Sequence, residues 1–304
     1  MSVRLKYKED IRTMIFLISL FLVYIIYWNT FGLYTDIIIF SIISLQCFQS
    51  AVVVHNCAHA HPFKESSHNT IFFLILTLLS GAPVSLYVPG HNQAHHRHLE
   101  TERDATCTNK MKYNNDFLNF VLYVPTIVPR VILNEQRYMM RQYSKGAGIY
   151  HQYKKEVFAY YCFLSLLLFL NPKKALFVYI LPTLVGKFYI LSLNMLQHYK
   201  CNPESKFNHS RNFTGPILNF LFMNNGYHTV HHNAPGLHWS KLPAKHLEII
   251  DKIDSDLIHE NILQYTYNTH FNLSRVCSNL WVHSCVFVIN IVILYSINLV
   301  RLGG

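Results

Sequence analysis

A chain of 304 residues that is 51% hydrophobic and only 14% charged, with its apolar residues in long blocks rather than amphipathic stripes, does not read as a soluble domain; bilayer is the expected solvent. The formal net charge of +10 implies no nucleic-acid partner, because the basic residues lie in loops beside apolar spans, the positive-inside pattern. Seven cysteines, at 47, 57, 107, 162, 201, 277 and 285, form no C-x-x-C pair and are odd in number, so neither a disulfide framework nor a thiolate metal site is expected.

In chain order, residues 1–12 carry Arg4, Lys6, Lys8 and Arg12 against Glu9 and Asp10, which reads as a cytoplasmic flank. No cleavable signal peptide is expected, since the first apolar run continues without a small-residue cleavage pattern. Residues 14–28 begin a first span that extends toward 34, and 29–36, with Gly32 and no Lys or Arg, suit a short turn on the far side. Residues 37–54 form a second apolar run that ends on His55-Asn56-Cys57-Ala58-His59. Two spans return the chain to the cytoplasm, so this first cluster belongs at that membrane surface. Residues 71–88 are long enough for one crossing, but a full crossing would put the next cluster, His91-Asn92-Gln93-Ala94-His95-His96, on the opposite side. Ser80-Gly81-Ala82-Pro83 interrupts this run, and Gly and Pro break helices. A re-entrant or interfacial hairpin is therefore predicted, returning His91 to the side of His55.

Between Arg97 and Lys155 stand ten Lys/Arg residues and no uninterrupted span. The apolar stretch 117–133 is broken by Pro125 and Pro129, and Tyr138, Met139, Met140 and Tyr143 follow among Arg137 and Arg141; a segment lying on the membrane surface is predicted. Residues 157–170 and 175–196 read as a helical hairpin around Asn171-Pro172-Lys173-Lys174, its short first arm starting nearer Tyr150. A short apolar stretch, 213–223, precedes the third cluster, His228-Thr229-Val230-His231-His232. Residues 280–300, in which His283 is the one side chain that titrates near neutral pH, read as a further span. The expected fold is all-α: one polytopic membrane domain over 1–304, with four core transmembrane helices, a re-entrant or interfacial segment and an extra C-terminal helix. A histidine-rich cap lies on its cytoplasmic side.

The three clusters supply eight histidines, too many for one metal ion and suited to two. Helical spacing puts His228, His231 and His232 on one face, and neutral imidazole is a common ligand for iron and zinc. Isolated histidines such as His68, His151, His259 and His270 read as hydrogen-bonded interfacial residues. Zinc hydrolysis fits poorly, because no H-E-x-x-H occurs and no glutamate sits inside a cluster to act as base. Haem ligation needs one or two axial histidines, not eight. A metal transporter or sensor would want ionisable residues along the spans, where only Lys187 and His283 stand.

H-N-C-A-H, H-N-Q-A-H-H and H-T-V-H-H resemble the three histidine boxes of the integral-membrane fatty-acid desaturase and hydroxylase superfamily, over about residues 35–250. The Pro235-Gly236-Leu237-His238-Trp239-Ser240 segment resembles bacterial members, and Pro235-Gly236 is expected to redirect the chain. The resemblance implies a non-haem di-iron enzyme that uses O2 as co-substrate and externally supplied electrons to desaturate a fatty acyl chain. Hydroxylation, or ketolation of a carotenoid-type lipid, is the alternative outcome on the same site. By position, the iron ligands carried over are His55, His59, His91, His95, His96, His228, His231 and His232, four to each ion. His198, in Asn194-Met195-Leu196-Gln197-His198, stands where the superfamily often has another histidine and is the ninth candidate, expected to raise one ion to five. Supporting roles are assigned to Asn194, one turn before His198, to His61 just past the first box, and to Asp104 after the second. His98 reads as a neighbour of its box, and Lys187 as a binder of a lipid carboxylate or a snorkelling side chain. No H-P-G-G haem motif is fused to the chain, so a separate ferredoxin or cytochrome b5-like protein is the expected electron donor.

Overall fold

The computed structural model describes residues 3–32 and 34–272; the apolar run 280–300 lies outside them. Helix α1, Asp10–Thr30, and helix α2, Asp36–His59, are the first two apolar blocks, long enough to cross a bilayer and free of internal proline. Asp10 opens α1 and places a carboxylate at the positive end of the helix dipole. Helix α2 runs five residues past the apolar block, so the first histidine cluster forms its last turn.

Helix α3, Ser66–Ser80, ends on Gly81 in the left-handed conformation at φ +71°, and the chain then turns by 89° into Val84–His95. The predicted break at Ser80-Gly81-Ala82-Pro83 is thus present, as a right-angle bend between two helical segments. Three side chains hold it: Thr77 Oγ1 accepts from Val84 N at 3.2 Å, the Glu156 carboxylate accepts from Ser85 N at 2.8 Å, and Lys187 Nζ donates to the Gly81 carbonyl. Lys187 therefore caps the turn from inside the protein and does not snorkel.

Helix α4, Asp116–Ser144, corrects the expectation of a break at Pro125 and Pro129. It is one 29-residue helix that continues through Pro125 and Pro129. Each proline removes a single N–H from the ladder, and four residues apart they spend that loss on one face. Helix α5, Gly148–Leu170, and helix α6, Pro172–His198, form the expected hairpin. Asn171 caps its turn, accepting from Lys174 N at 2.9 Å, and Lys174 Nζ reaches the Trp28 carbonyl at 2.8 Å.

Among the described residues, four helices could cross a membrane by length and composition, α1, α2, α4 and α6, with the bent pair Ser66–Ser80 and Val84–His95 as a fifth if it is one broken span. The count of four agrees with expectation, and helix α5, which carries Lys154, Lys155 and Glu156 near its start, is the hairpin arm expected to be short for a full crossing. The core lies where α2 packs between α1 and α6, around Leu20, Ile43, Val52 and Leu76. A Cβ at Gly186 of α6 would lie 2.6 Å from the Cys47 carbonyl carbon, so glycine is what lets α6 approach α2 so closely. Outward faces carry exposed Ile18, Phe21, Ile37, Phe158 and Phe169, a surface suited to lipid.

At the end of the bundle where α2 and α6 finish, short elements form a cap. Strands β1, Asn212–Phe213, and β2, Ile258–His259, pair in parallel. Helix α7, Pro216–Leu221, leads to helix α8, His228–Asn233. The N-terminal segment joins the same end: Leu5 bridges to Phe63, and Asp10 Oδ1 accepts from Trp239 Nε1 at 3.0 Å.

Candidate metal centre

Four elements deliver nine histidines to two adjoining groups: His55, His59, His91, His96 and His231 in one, His95, His198, His228 and His232 in the other. Within each group one ring nitrogen per residue lies within 4.8 Å of all the others. The last turn of α2 presents His55 and His59 at i, i+4, which on an α-helix share a face. The second box is different. Val88–His95 is π-helical, and His96 N donates to the His91 carbonyl, five residues back, at 2.9 Å. That wider turn sets His91 edge-on to His96, with their Nε2 atoms 3.0 Å apart, and sends His95 to the other group. One turn of chain thereby feeds both groups, a use of π geometry common at functional sites. Helix α8 does the same, with His231 in the first group and His228 and His232 in the second.

In the first group His231 Nε2 lies 2.9 Å from His55 Nε2 and 3.0 Å from His96 Nε2. In the second, His228 Nε2 lies 2.9 Å from His198 Nε2 and 3.2 Å from His232 Nε2. The rings of His96 and His232 stack at 4.2 Å across the boundary. Burial, and after it the neighbouring imidazoles, hold His96, His228, His231 and His232 well below the ordinary histidine pKa, so these rings are neutral and carry lone pairs. Pairs of neutral rings can share N–H···N bonds, but converging groups of four and five cannot all be satisfied that way. The buried Nε2 atoms of His59 and His95 indeed have no hydrogen-bond partner, which buried polar groups seldom tolerate. A cation at the centre of each group would satisfy all of them. Nitrogen-only donor sets suit iron, copper, nickel or zinc rather than calcium or magnesium.

The far nitrogens are held as well. His95 Nδ1 lies 3.0 Å from Asp104 Oδ2 and 3.1 Å from Thr106 Oγ1. Burial alone would raise the Asp104 pKa, but the His95 ring and the hydrogen bonds from Thr106 hold it well below the usual carboxylate range. His198 Nδ1 donates to the His209 carbonyl at 3.1 Å, which leaves its Nε2 as the acceptor that faces the group. His55 Nδ1 lies 3.2 Å from Asn56 Oδ1.

The fatty acid desaturase family profile matches residues 28–262, a stretch that contains every histidine of both groups. The chain belongs to the fatty acid desaturase family. A sphingolipid delta(4)-desaturase of Komagataella phaffii is 22% identical over 72% of this chain and 66% of its own length, so the match spans just under two thirds of that relative.

Within this desaturase-family chain the sequence-predicted residues separate cleanly. All nine candidate histidines enter the two groups, but the eight box histidines divide five and three rather than four and four. His198 completes the smaller group to four instead of raising an ion to five. Asp104 is fully buried against His95. Asn194 instead donates to the Tyr123 hydroxyl at 3.0 Å, and no hydrogen bond joins it to a histidine of either group. His61 is exposed and packs edge-on against Phe73 at 5.1 Å, outside both groups. His98 is half-buried and also outside them. Thr106 and His209 were missed, because a threonine and a lone histidine outside the boxes carry no spacing signal. Glu100 was missed too: its carboxylate accepts from Thr108 N at 2.9 Å and Thr108 Oγ1 at 2.9 Å, closing the loop that carries Asp104.

Proposed function

We propose that this chain is an O2-dependent desaturase of lipid-borne acyl chains that holds two irons, five imidazoles around one and four around the other. The sorting of nine histidines into two adjoining nitrogen-only groups carries the reading, within the stretch that matches the desaturase family. The relative's name adds sphingolipid as a substrate class to test. Two irons bound there would supply the oxidising power, drawn from O2, that removes hydrogen from an unactivated C–H bond. In the overall balance two substrate hydrogens, two electrons and two protons reduce O2 to two waters and leave an alkene. The electrons come from a separate ferredoxin or cytochrome b5-like donor. The chain's own part is to hold and orient: Asp104 and Thr106 fix the His95 ring, the His209 carbonyl fixes that of His198, and burial keeps water from the histidines.

Expression in a host lacking the activity, followed by lipid mass spectrometry, tests the reaction. Lipids lighter by two hydrogens are expected; products that gain one oxygen would assign a hydroxylase instead.

Replacing Asp104 with Asn removes the carboxylate that orients His95 while keeping size. Changes to the partner of a metal-binding histidine typically cost about 10–100-fold in affinity or activity. Iron per chain should fall while the protein still inserts in the membrane and stays monodisperse. Full iron and full turnover in Asp104→Asn would remove Asp104 from the site.

The metal centre is assigned to the cytoplasmic side, following the positive-inside reading of the loops. Ser66 and Thr101, both exposed, flank the bent segment. As single cysteines in a background without native cysteines, both should react with an impermeant thiol reagent from the cytoplasmic side alone. Labelling of either from the other side would overturn the assignment.

A further inference from the structure

A cavity of about 590 Å3 lies against the second box, outside both histidine groups, and Arg103, Lys110, Arg130, Arg137 and Arg141 line it against one acid, Glu102. Arg130, Arg137 and Arg141 stand at i, i+7 and i+11 on α4, so the helical period puts the three on one face. Arg103 and Lys110 come from the loop opposite, where Lys110 Nζ is held at the Asp104 carbonyl. Among the described residues none of the four arginines is in an ion pair. All four arginines are exposed, and a row of them on a solvated helix face would by itself need no explanation; here they share a concave site with Lys110. Cations that face one another across a concave site repel, and an anion between them removes that repulsion.

We infer that this cavity binds a phosphate-bearing headgroup. Guanidinium forks match phosphate oxygens in bidentate fashion, and the volume is that of a small-molecule site rather than of a protein-docking surface. Gln93 and Ala94 form part of its wall and stand between His91 and His95 on the π-helical turn. Asn134 Nδ2 donates to the Pro89 carbonyl at 3.3 Å, tying α4 to that turn. A headgroup held here brings its attached chain beside His91 and His95. This inference rests on the desaturase reading and names the chemistry of the substrate's polar end.

The test is direct binding to the purified full-length protein in detergent. Dioleoyl phosphatidic acid is the lipid probe, dioleoylglycerol the neutral control, and inorganic pyrophosphate the soluble competitor. Phosphatidic acid is expected to bind at least about tenfold more tightly than dioleoylglycerol. The Arg137→Gln/Arg141→Gln double variant is expected to lose at least about tenfold of that affinity, with iron content unchanged. Competition by pyrophosphate at concentrations matching its own binding would assign a soluble phosphate ester as the source. Retention of the preference for the lipid despite pyrophosphate would assign a phospholipid. Equal binding of the two lipids by the wild type, or unchanged phosphatidic acid binding in the double variant, would overturn the inference. A double variant that binds phosphatidic acid normally but is reduced slowly by an acidic ferredoxin would also overturn it, and would give the cavity to the electron donor. Iron content and turnover are read separately, so an iron-loaded, active protein without phosphate selectivity loses this inference alone. A protein without iron loses the desaturase reading.

Discussion

His198→Ala is expected to abolish turnover, by at least about 100-fold, and to lower bound iron from two per chain to about one. His198 is the last residue of α6 and one of only four histidines in its group. Its Nδ1 is committed to the His209 carbonyl, so its Nε2 is aimed at His95, His228 and His232 by the fold itself. Three imidazoles would remain there. His59→Ala makes the comparison, because it leaves four in the group of five; iron retention should be higher than in His198→Ala even though activity falls. Iron analysis together with single-turnover assays reads both effects. Full iron and full turnover in His198→Ala would reduce the site to the eight box histidines.

Gly226→Ala is expected to be the most damaging single methyl group in the cap. A Cβ there would lie 2.0 Å from the Phe213 carbonyl oxygen and 2.7 Å from Asn219 Oδ1. Neither is free to retreat. The Gly226 carbonyl accepts from Phe213 N at 2.8 Å, and Asn219 Oδ1 accepts from Gly226 N at 3.1 Å. Forcing an atom into a filled site typically costs about 1–3 kcal/mol, and a backbone oxygen this close puts the expected loss near about 3 kcal/mol. Because His228 follows two residues later, iron should be lost from both groups. Gly236→Ala is the control: nothing lies within 4 Å of its Cβ position, and its melting temperature should match the wild type. Thermal unfolding of both variants in the same detergent checks the contrast; equal melting would contradict the packing described around β1 and α8.

Much of this was legible in the residues, for identifiable reasons. Apolar blocks of bilayer length mark α1, α2 and α6, and Ser80-Gly81-Ala82-Pro83 marks the bend because Gly and Pro break helices there. The histidine boxes are local in sequence, so their ligand chemistry could be read without a fold. The five-and-four division could not. It depends on the π turn at Val88–His95, whereas a 3.6-residue period pairs His91 with His95 and not with His96. It also depends on α8 straddling the two groups. Helix α4 was misread because proline carries a strong breaking signal, and a helix secured elsewhere along its length can absorb two lost N–H groups on one face. The roles of Lys187, Glu156 and Thr106 are tertiary: each is defined by a carbonyl, an amide or a ring brought from another part of the chain.

The central claim is that this chain holds two irons in its two histidine groups. Metal analysis of the purified full-length protein, expressed with iron supplied and washed with a mild chelator, tests it most directly. Two iron atoms per chain are expected, falling to about one in His198→Ala. A chain that retains no iron, or that carries exchangeable zinc or nickel in its place, would contradict the account and favour a metal-transport or metal-sensing role for the same histidines.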